Sequence, residues 1–365
     1  MKILMQGRRD LLDFYGGDST QVLKTKEYLE KLGVDVDISK DLLPDVNGYD
    51  LIHIFNAPFY DILPMTINAK RAGKKVVYSP IYLDYSVYDK GGRGGLAGLA
   101  SRILDKYRTE DLKLFASIAR KGGFPGSIPD ILKGYRRCLC ETLRNVDFLL
   151  PNSNSEIARM EKDFPIGKIP YVVVPYAVDK AFTDKTADID NDPDKLKGCV
   201  MSAARIENRK NQLSLVKAMK GLPYDLVLIG RIGSGQRDYF RRIQKEAGPN
   251  FHYLGSIEHS DMPKYYRLAK VHCLVSWMET CGLTSMEAAV MGCNIVITDK
   301  GDTREYYRDY AYYCSPGSIE SIRKAILKAY KSPYNHTLRN LIVDNYTWEK
   351  AAKITYEAYL RVLKK

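Results

Sequence analysis

Short apolar runs alternate with amphipathic stretches along most of the chain, and turns rich in Gly, Asp and Asn separate them. A brief continuous apolar run is the mark of a strand buried on both faces. Apolar positions recurring every three or four residues mark a helix. Strand, turn and helix, repeated, predict parallel sheets covered by helices, an α/β class. In the first half the strands fall at Ile3–Gly7, Val34–Ile38, Leu51–Phe55, Val76–Ser79 and Phe148–Leu150. In the second they fall at Val200–Ala203, Leu226–Ile229, His252–Leu254, Cys273–Val275 and Ile295–Thr298. A helix over Ser19–Lys31 places Val22, Leu29 and Leu32 near one face and stops at Gly33, a residue suited to the left-handed turn that ends helices. The last stretch, Thr347–Lys365, reads as a helix with Trp348, Ala351, Ile354, Tyr359 and Leu363 as its apolar positions.

The chain has 365 residues. Single cores stop growing near about 250–300 residues, so two domains are expected. The acidic, aperiodic segment Asp188–Asp194 reads as the linker, within a boundary near Tyr176–Gly198. The expected domains are 1–178, carrying an insertion at 90–145, then 179–345, and a closing helix over 346–365 that packs back on the first domain. No run of about 18 apolar residues is present, so no membrane-crossing helix is expected. The opening Met1–Gly7 reads as a buried strand, not a secretory signal. Seven irregularly spaced cysteines fit buried reduced thiols of a cytoplasmic protein better than disulfides, and Cys138 and Cys140 lack zinc-knuckle spacing.

The net charge is +12, which suits nucleic acid, a membrane surface or phosphorylated substrates. Much of it is local: between Lys90 and Asn145 there are twelve Lys/Arg against five Asp/Glu. Nucleic-acid binding would need aromatics interleaved with basic residues on one platform, and the tyrosines are instead scattered. Within the insertion, Gly91–Gly95 is glycine-rich and reads as flexible. Leu96, Leu99, Ile103 and Tyr107 then recur at helical spacing beside Arg102, Lys106 and Arg108. A basic amphipathic helix of this kind suits an anionic lipid surface; packing on its own domain is the other reading.

Two segments carry candidate chemistry. Trp277–Gly292 follows a strand and opens a helix, so the backbone N–H groups of Gly282, Leu283 and Thr284 point at an anion, with the helix dipole assisting. Glu279 and Glu287 bracket this turn, and a carboxylate such as Glu287 can accept both hydroxyls of a ribose. Ala203–Gln212 also joins a strand to a helix. Its Arg205 and Lys210 can converge on one diphosphate, the first as a planar fork and the second as a point charge. Taken singly, each segment is equally readable as an exposed basic loop or a carboxylate near a helix end.

Together, and in this order, Arg205 with Lys210 and then Glu279-x7-Glu287 within ETCGLTSMEAAVMGCNIVIT resemble the retaining glycosyltransferases of family 4 (glycosyl transferases group 1). Val227–Gly230, Phe251–Ile257 and the closing run TWEKAAKITYEAYL resemble further elements of that family, and the similarity runs from Ser153 to Tyr359. The resemblance implies a GT-B fold, two Rossmann-like domains facing each other across a cleft, with acceptor binding in the first and nucleotide-sugar binding in the second. It implies that Arg205 and Lys210 hold the donor diphosphate, with Glu279 at the donor sugar and Glu287 at the ribose. Gly282, Leu283 and Thr284 would offer N–H groups to phosphate or sugar; Gly230, Ser256 and Ile257 would border the base; Gly16 and Gly17 would match the family's glycine turn beside the diphosphate. No cofactor and no metal is implied, and the donor is a UDP- or GDP-sugar. Asp35/Asp37 and Asp188/Asp190/Asp192 give Asp-x-Asp matches, a metal-binding pair in a different glycosyltransferase fold, but they fall in a strand and a linker.

The chain also departs from the pattern. No histidine stands in Tyr78–Asp84, where many family members place one, so His53, Tyr82 and Asp84 are the acceptor-side candidates. His53 is expected at a strand end facing the cleft. Cys281 stands where an aromatic is familiar, and Tyr176–Asp179 replaces Asn-Gly-Val-Asp. The implied activity is hexosyl transfer with retention to a glycan or lipid-linked acceptor in cell-surface polysaccharide or glycolipid assembly, in the cytoplasm or on the inner face of the membrane. Two alternatives stand beside it: a disaccharide or sugar-phosphate synthase or phosphorylase on the same fold, and a non-catalytic nucleotide-sugar or nucleic-acid binding module.

Overall fold

The computed structural model describes residues 1–13, 15–121, 128–164, 167, 169–183 and 196–364. The acidic linker segment expected at Asp188–Asp194 lies outside them. The chain forms two compact units. One comprises Met1–Asp84, Ala100–Tyr176 and Trp348–Lys365; the other comprises Tyr85–Leu99 and Ala177–Thr347.

The first unit is built on a five-stranded sheet: β1 Lys2–Gln6, β2 Asp35–Ser39, β3 Leu51–Phe55, β4 Lys75–Ser79 and β5 Phe148–Leu149. Its order is β2-β1-β3-β4-β5 and every pairing is parallel. β3 is buried along its whole length, as the unbroken run LIHIF requires of a central parallel strand. The core joins Leu4, Ile52, Ile54, Val76 and Leu149 of the sheet to Ile62, Leu63, Leu139, Ile157 and Met160 of the covering helices.

Two helices of this unit pack on each other, Gly17–Glu30 and Trp348–Leu363. The closing helix buries Trp348, Ala351, Ala352, Thr355, Ala358 and Tyr359, so its inward stripe is made mostly of small residues, with Ile354 and Leu363 at its margins. Leu32, expected on the inward face of the earlier helix, is exposed in the turn that follows it, and Gly33 there takes φ +80°.

The second unit carries a six-stranded parallel sheet: β6 Cys199–Ala203, β7 Leu226–Ile229, β8 Phe251–Tyr253, β9 Ala269–Leu274, β10 Asn294–Thr298 and β11 Tyr312–Cys314, in the order β11-β10-β9-β6-β7-β8. β11 is an addition to the predicted set: three residues at the sheet edge, two of them tyrosines, are too short to show a period. The chain enters this unit after Tyr176 and leaves it after Thr347, and there Val178 donates its N–H to Tyr346 O (3.0 Å).

The insertion departs from the expected single helix. A helix over Gly95–Ile103 stops, and a second begins at Lys106 and runs to Lys121. Asp105 causes the break: its carboxylate accepts the N–H groups of Tyr107 and Arg108 (2.9 Å each), capping the second helix. Tyr107 therefore turns inward, where its hydroxyl donates to Asp163 O (3.0 Å) and its ring stacks on Tyr135, while Leu99 and Ile103 stay exposed. Residues 85–99, expected with the first domain, group with the second unit. Gly91 and Gly92 of the glycine run, read as flexible, pack closely against the indole of Trp277 there.

Candidate functional site

In the second sheet the strand order reverses between β6 and β9: from β6 the chain proceeds outward through β7 and β8, and from β9 through β10 and β11. Connections that diverge to opposite sides leave a crevice at the carboxyl ends of the two central strands, where open α/β sheets bind ligands. The loops that leave those ends are Ala204–Asn211 and Val275–Gly282, the two segments singled out by sequence. They are stitched together. Trp277 N–H donates to Arg209 O (2.9 Å), and the Asn211 amide donates to Val275 O (3.1 Å) and Pro316 O (2.9 Å). Asn211 does so from φ +61°, a strained conformation that asparagine tolerates better than most residues. Beneath the crevice, Ala203 N–H donates to His272 Nε2 (3.2 Å), so the ring proton sits on Nδ1, which faces Ser285 Oγ (3.1 Å). Burial holds His272 down to about 3, a neutral ring that ties β6, β9 and the following helix together.

Charge is gathered at this point. Glu207 is reached by Arg209 (2.9 Å) and Arg205 (3.8 Å). Burial works against its ionised form, yet the positive charges of Arg209, Arg205 and Lys210 outweigh it and lower its pKa. Three cations thus surround one half-buried carboxylate. Lys210 itself donates to Glu279 Oε1 (2.5 Å), which also accepts Ser276 Oγ–H (2.5 Å). The structure brings Lys210 and Glu279 into direct contact, while Arg205 remains 41 % exposed on the same loop. Sequence reasoning misses Arg209 and Glu207, although the spacing Arg-x-Glu-x-Arg-Lys displays them.

Glu279 is held from behind as well. It forms a bridge with Gly301, and its carbonyl accepts Asp302 N–H (3.0 Å). Gly301 has φ +90°, and a Cβ there would lie 1.8 Å from Glu279 O, so only glycine fits. Three residues after Glu279, Gly282 (φ +68°) turns the chain into the Leu283–Val290 helix, whose first N–H groups have no acceptor within the helix. A Cβ on Gly282 would meet Leu274 Cδ2 at 2.8 Å. Cys281, at the position of the familiar aromatic, is buried, and burial pushes its thiol well up.

Glu287, one turn into that helix, is buried with both oxygens engaged: His259 Nε2 contacts one (2.9 Å) and the Tyr266 hydroxyl donates to the other (3.0 Å). The ring of Phe182 lies beside His259, 5.1 Å between centroids. His259 and Tyr266 carry no sequence signal, because their role depends on a carboxylate that the fold brings to them. Gly230 (φ +138°) lies so close to the Ala204 carbonyl that a Cβ would sit 2.1 Å from it, and its N–H donates to Gly255 O (2.7 Å). Ser256 and Ile257 follow that contact, the first exposed and the second half-buried.

The remaining candidates, Gly16, Gly17, His53, Tyr82 and Asp84, belong to the first unit. Gly16 and Gly17 open its first helix, where Gly16 N–H donates to Ser19 Oγ (3.2 Å). His53 departs from expectation. It is the middle residue of β3, 1 % exposed, with Nδ1 against the Tyr359 hydroxyl (2.6 Å) and Nε2 against Ser79 Oγ (2.9 Å), and burial holds it down to about 3. It pins the closing helix to the sheet. Tyr82 donates its hydroxyl to Asp163 (2.5 Å) at the end of the Asn154–Asp163 helix, and Asp84 pairs with Lys106 (3.3 Å) of the insertion. Asp35 and Asp37 are each paired with Lys2 (3.7 and 3.2 Å).

Residues 184–348 match the family model described as Glycosyl transferases group 1. The O-antigen chain mannosyltransferase B of Escherichia coli is 25 % identical over 173 residues, 44 % of this chain. The aligned part spans 45 % of that relative's length. Among solved structures, sucrose-phosphate synthase (tll1590) from Thermosynechococcus elongatus superposes with a TM-score of 0.75 at 16 % identity over 100 % of this chain and 99 % of the other. Anabaena Alr3699/HepE, solved in complex with UDP, does so at 0.69 and 13 % identity, over 98 % and 99 %. The fold is therefore GT-B, two parallel-sheet α/β domains.

Proposed function

We propose that this chain is a glycosyltransferase that takes a sugar from a nucleotide-diphosphate donor bound in its second unit. The main support is the group of Arg205, Arg209 and Lys210 at the sheet's switch point, beside the Gly282–Thr284 helix start. Breaking the bond between a sugar and a diphosphate develops negative charge on the leaving diphosphate. Fixed cations and N–H dipoles stabilise that charge most in the transition state. Arg205 and Lys210 hold the diphosphate and the helix start completes its cradle, with no metal assigned. Glu287 receives the ribose hydroxyls, between His259 and Tyr266. Gly230, Ser256 and Ile257 border the base. UDP is favoured by the HepE complexes, and GDP is the alternative.

Glu279 faces the donor sugar. With Lys210 and Ser276 both on Oε1, its second oxygen is the one left to meet a sugar hydroxyl or the oxocarbenium face. The motif resemblance to retaining enzymes supports same-face attack with retention within an ion pair. The sugar is a hexose and the acceptor a glycan or a lipid-linked glycan of cell-surface assembly. The transfer is tested by incubating the protein with UDP-glucose or GDP-mannose and acceptor, and following the new anomeric proton by NMR from the first minutes. An α-linked product from an α-donor is expected. A β-linked first product would overturn retention while leaving transfer intact.

A lipid-facing acceptor has its own support. In the insertion, Ile103, Leu112, Phe115, Ile128 and Leu132 are exposed, as are Arg102, Arg108, Arg136 and Arg137. No helix among the described residues is long and apolar enough to cross a membrane. Apolar residues flanked by arginines suit a peripheral contact with anionic lipid.

A further inference from the structure

The segment Tyr85–Gly92 is remote in sequence from the second sheet, yet it belongs to that unit. It holds two residues, and both border the charged pair described above. Arg209, immediately before Lys210, lies over the Tyr85 ring (5.7 Å) and donates to its hydroxyl (3.5 Å). Trp277, two residues before Glu279, lies under Gly91 and Gly92. A Cβ on Gly92 would meet Trp277 Nε1 and Cε2 at 2.5 Å, and one on Gly91 would meet Cζ3 at 3.0 Å. The indole is rigid, so the glycines are needed for backbone to lie on it. The two anchored residues are also bonded to each other, Trp277 N–H to Arg209 O (2.9 Å).

The strap is itself braced. Residues Ser86–Gly91 form a helical turn and a half, Gly92 N–H donates to Tyr88 O (2.7 Å), and buried Asp89 pairs with Arg93 (2.9 Å). Gly94, in the same run, has open space where its Cβ would be. Packing alone would leave the choice of contact points arbitrary. Here both fall directly upstream of the ammonium and the carboxylate that meet at 2.5 Å.

We propose that Tyr85–Gly92 is a positioning strap: by fixing Arg209 and Trp277 it sets the placement of Lys210 and Glu279 against the donor. This rests on the donor-site reading. Its residues are argued to act through Arg209 and Trp277, so they are positioning residues. Displacing a reacting group by about 1 Å costs on the order of 100-fold in rate, so the strap acts mainly on kcat.

The test uses the full chain with Trp348→Phe, which leaves Trp277 as the single tryptophan. In this background Gly92→Ala, Trp277→Leu, the double variant and Gly94→Ala are compared. Trp277 emission is read without ligand, and hydrolysis of UDP-glucose or GDP-mannose, whichever the unaltered chain turns over, is read for kcat and KM. Gly92→Ala is expected to red-shift the emission and lower kcat about 10- to 100-fold with KM within about twofold. Trp277→Leu is expected to lower kcat similarly, and the double variant by clearly less than the product of the two losses, because the closer clash requires the ring and only the 2.7 Å approach to Tyr88 Cδ2 remains without it. Gly94→Ala is expected to change nothing. Should Gly92→Ala fail to fold, Tyr85→Phe, which removes only a hydroxyl, is expected to lower kcat severalfold at unchanged melting temperature. Unchanged kcat in Gly92→Ala, or multiplicative losses in the double variant, would overturn the strap. Failure of the unaltered chain to bind any nucleotide diphosphate would instead overturn the donor reading, with the emission shift still present.

Discussion

At the scale of single residues, burial decides what a histidine does. His53 and His272 are both buried and both held down to about 3. A histidine in the unfolded chain takes up a proton near its ordinary value of about 6.5, which the folded chain refuses. Below that pH the unfolded state binds more protons, so stability falls as pH drops from about 6.5 towards about 3, by up to about 1.4 kcal/mol per pH unit for each histidine. Urea midpoints between pH 7 and pH 5 should therefore fall, and fall less steeply in His53→Gln. Equal slopes in the two proteins would contradict the assignment. The run LIHIF displays His53 but not its depth in the sheet, so the pattern alone predicts a cleft-facing position. Arg205, Lys210, Glu279 and Glu287 are legible from their places at strand ends and helix starts. Arg209 and Glu207 stand in the same run but their pairing does not show in it, and His259 carries no signal, since each matters through a partner that the fold supplies.

At the scale of elements, the site is a property of two strand–loop–helix units meeting at a reversal of strand order. The periodic pattern places β6 to within a residue and the end of β9 likewise, because buried parallel strands are continuous apolar runs, but it starts β9 at Cys273 where the strand begins at Ala269. It does not reveal β11, which has three residues, nor the break at Asp105, where one carboxylate capping two N–H groups outweighs a helical apolar spacing. Nor does it mark the turn Lys300–Asp302, whose glycine lies against the Glu279 backbone. Gly301→Ala, forced to φ +90° with its Cβ 1.8 Å from Glu279 O, should cost about 1–3 kcal/mol and weaken nucleotide binding together with stability. Thermal melts with and without UDP or GDP check this. A variant that melts and binds like the parent would remove Gly301 from the support of Glu279.

At the scale of the whole molecule, two sheets of parallel strands and the order of motifs along the chain are readable from pattern alone. The surplus of positive charge is readable too, but not which apolar residues around it face outward. With Ile103 82 % and Leu132 71 % exposed beside four exposed arginines, the chain should float with anionic vesicles at low salt and detach at high salt. Ile103→Glu with Leu132→Glu should reduce flotation severalfold without lowering the melting temperature. Absence of flotation, or flotation indifferent to both salt and these changes, would count against a lipid-facing acceptor.

The proposed function depends on one assignment, a diphosphate site at the junction of β6 and β9. Melting the protein with UDP, GDP, ADP and CMP, alone and as Arg205→Ala, probes that site without needing the acceptor. Ligand at about 100 times its dissociation constant stabilises the folded state by about 2.7 kcal/mol, a shift easily seen in a melt. One nucleoside diphosphate, UDP or GDP, should stabilise the chain, and the effect should vanish in Arg205→Ala while the unliganded melt stays in place. Stabilisation by none of the four, or stabilisation that survives in Arg205→Ala, would remove the diphosphate site from β6 and β9.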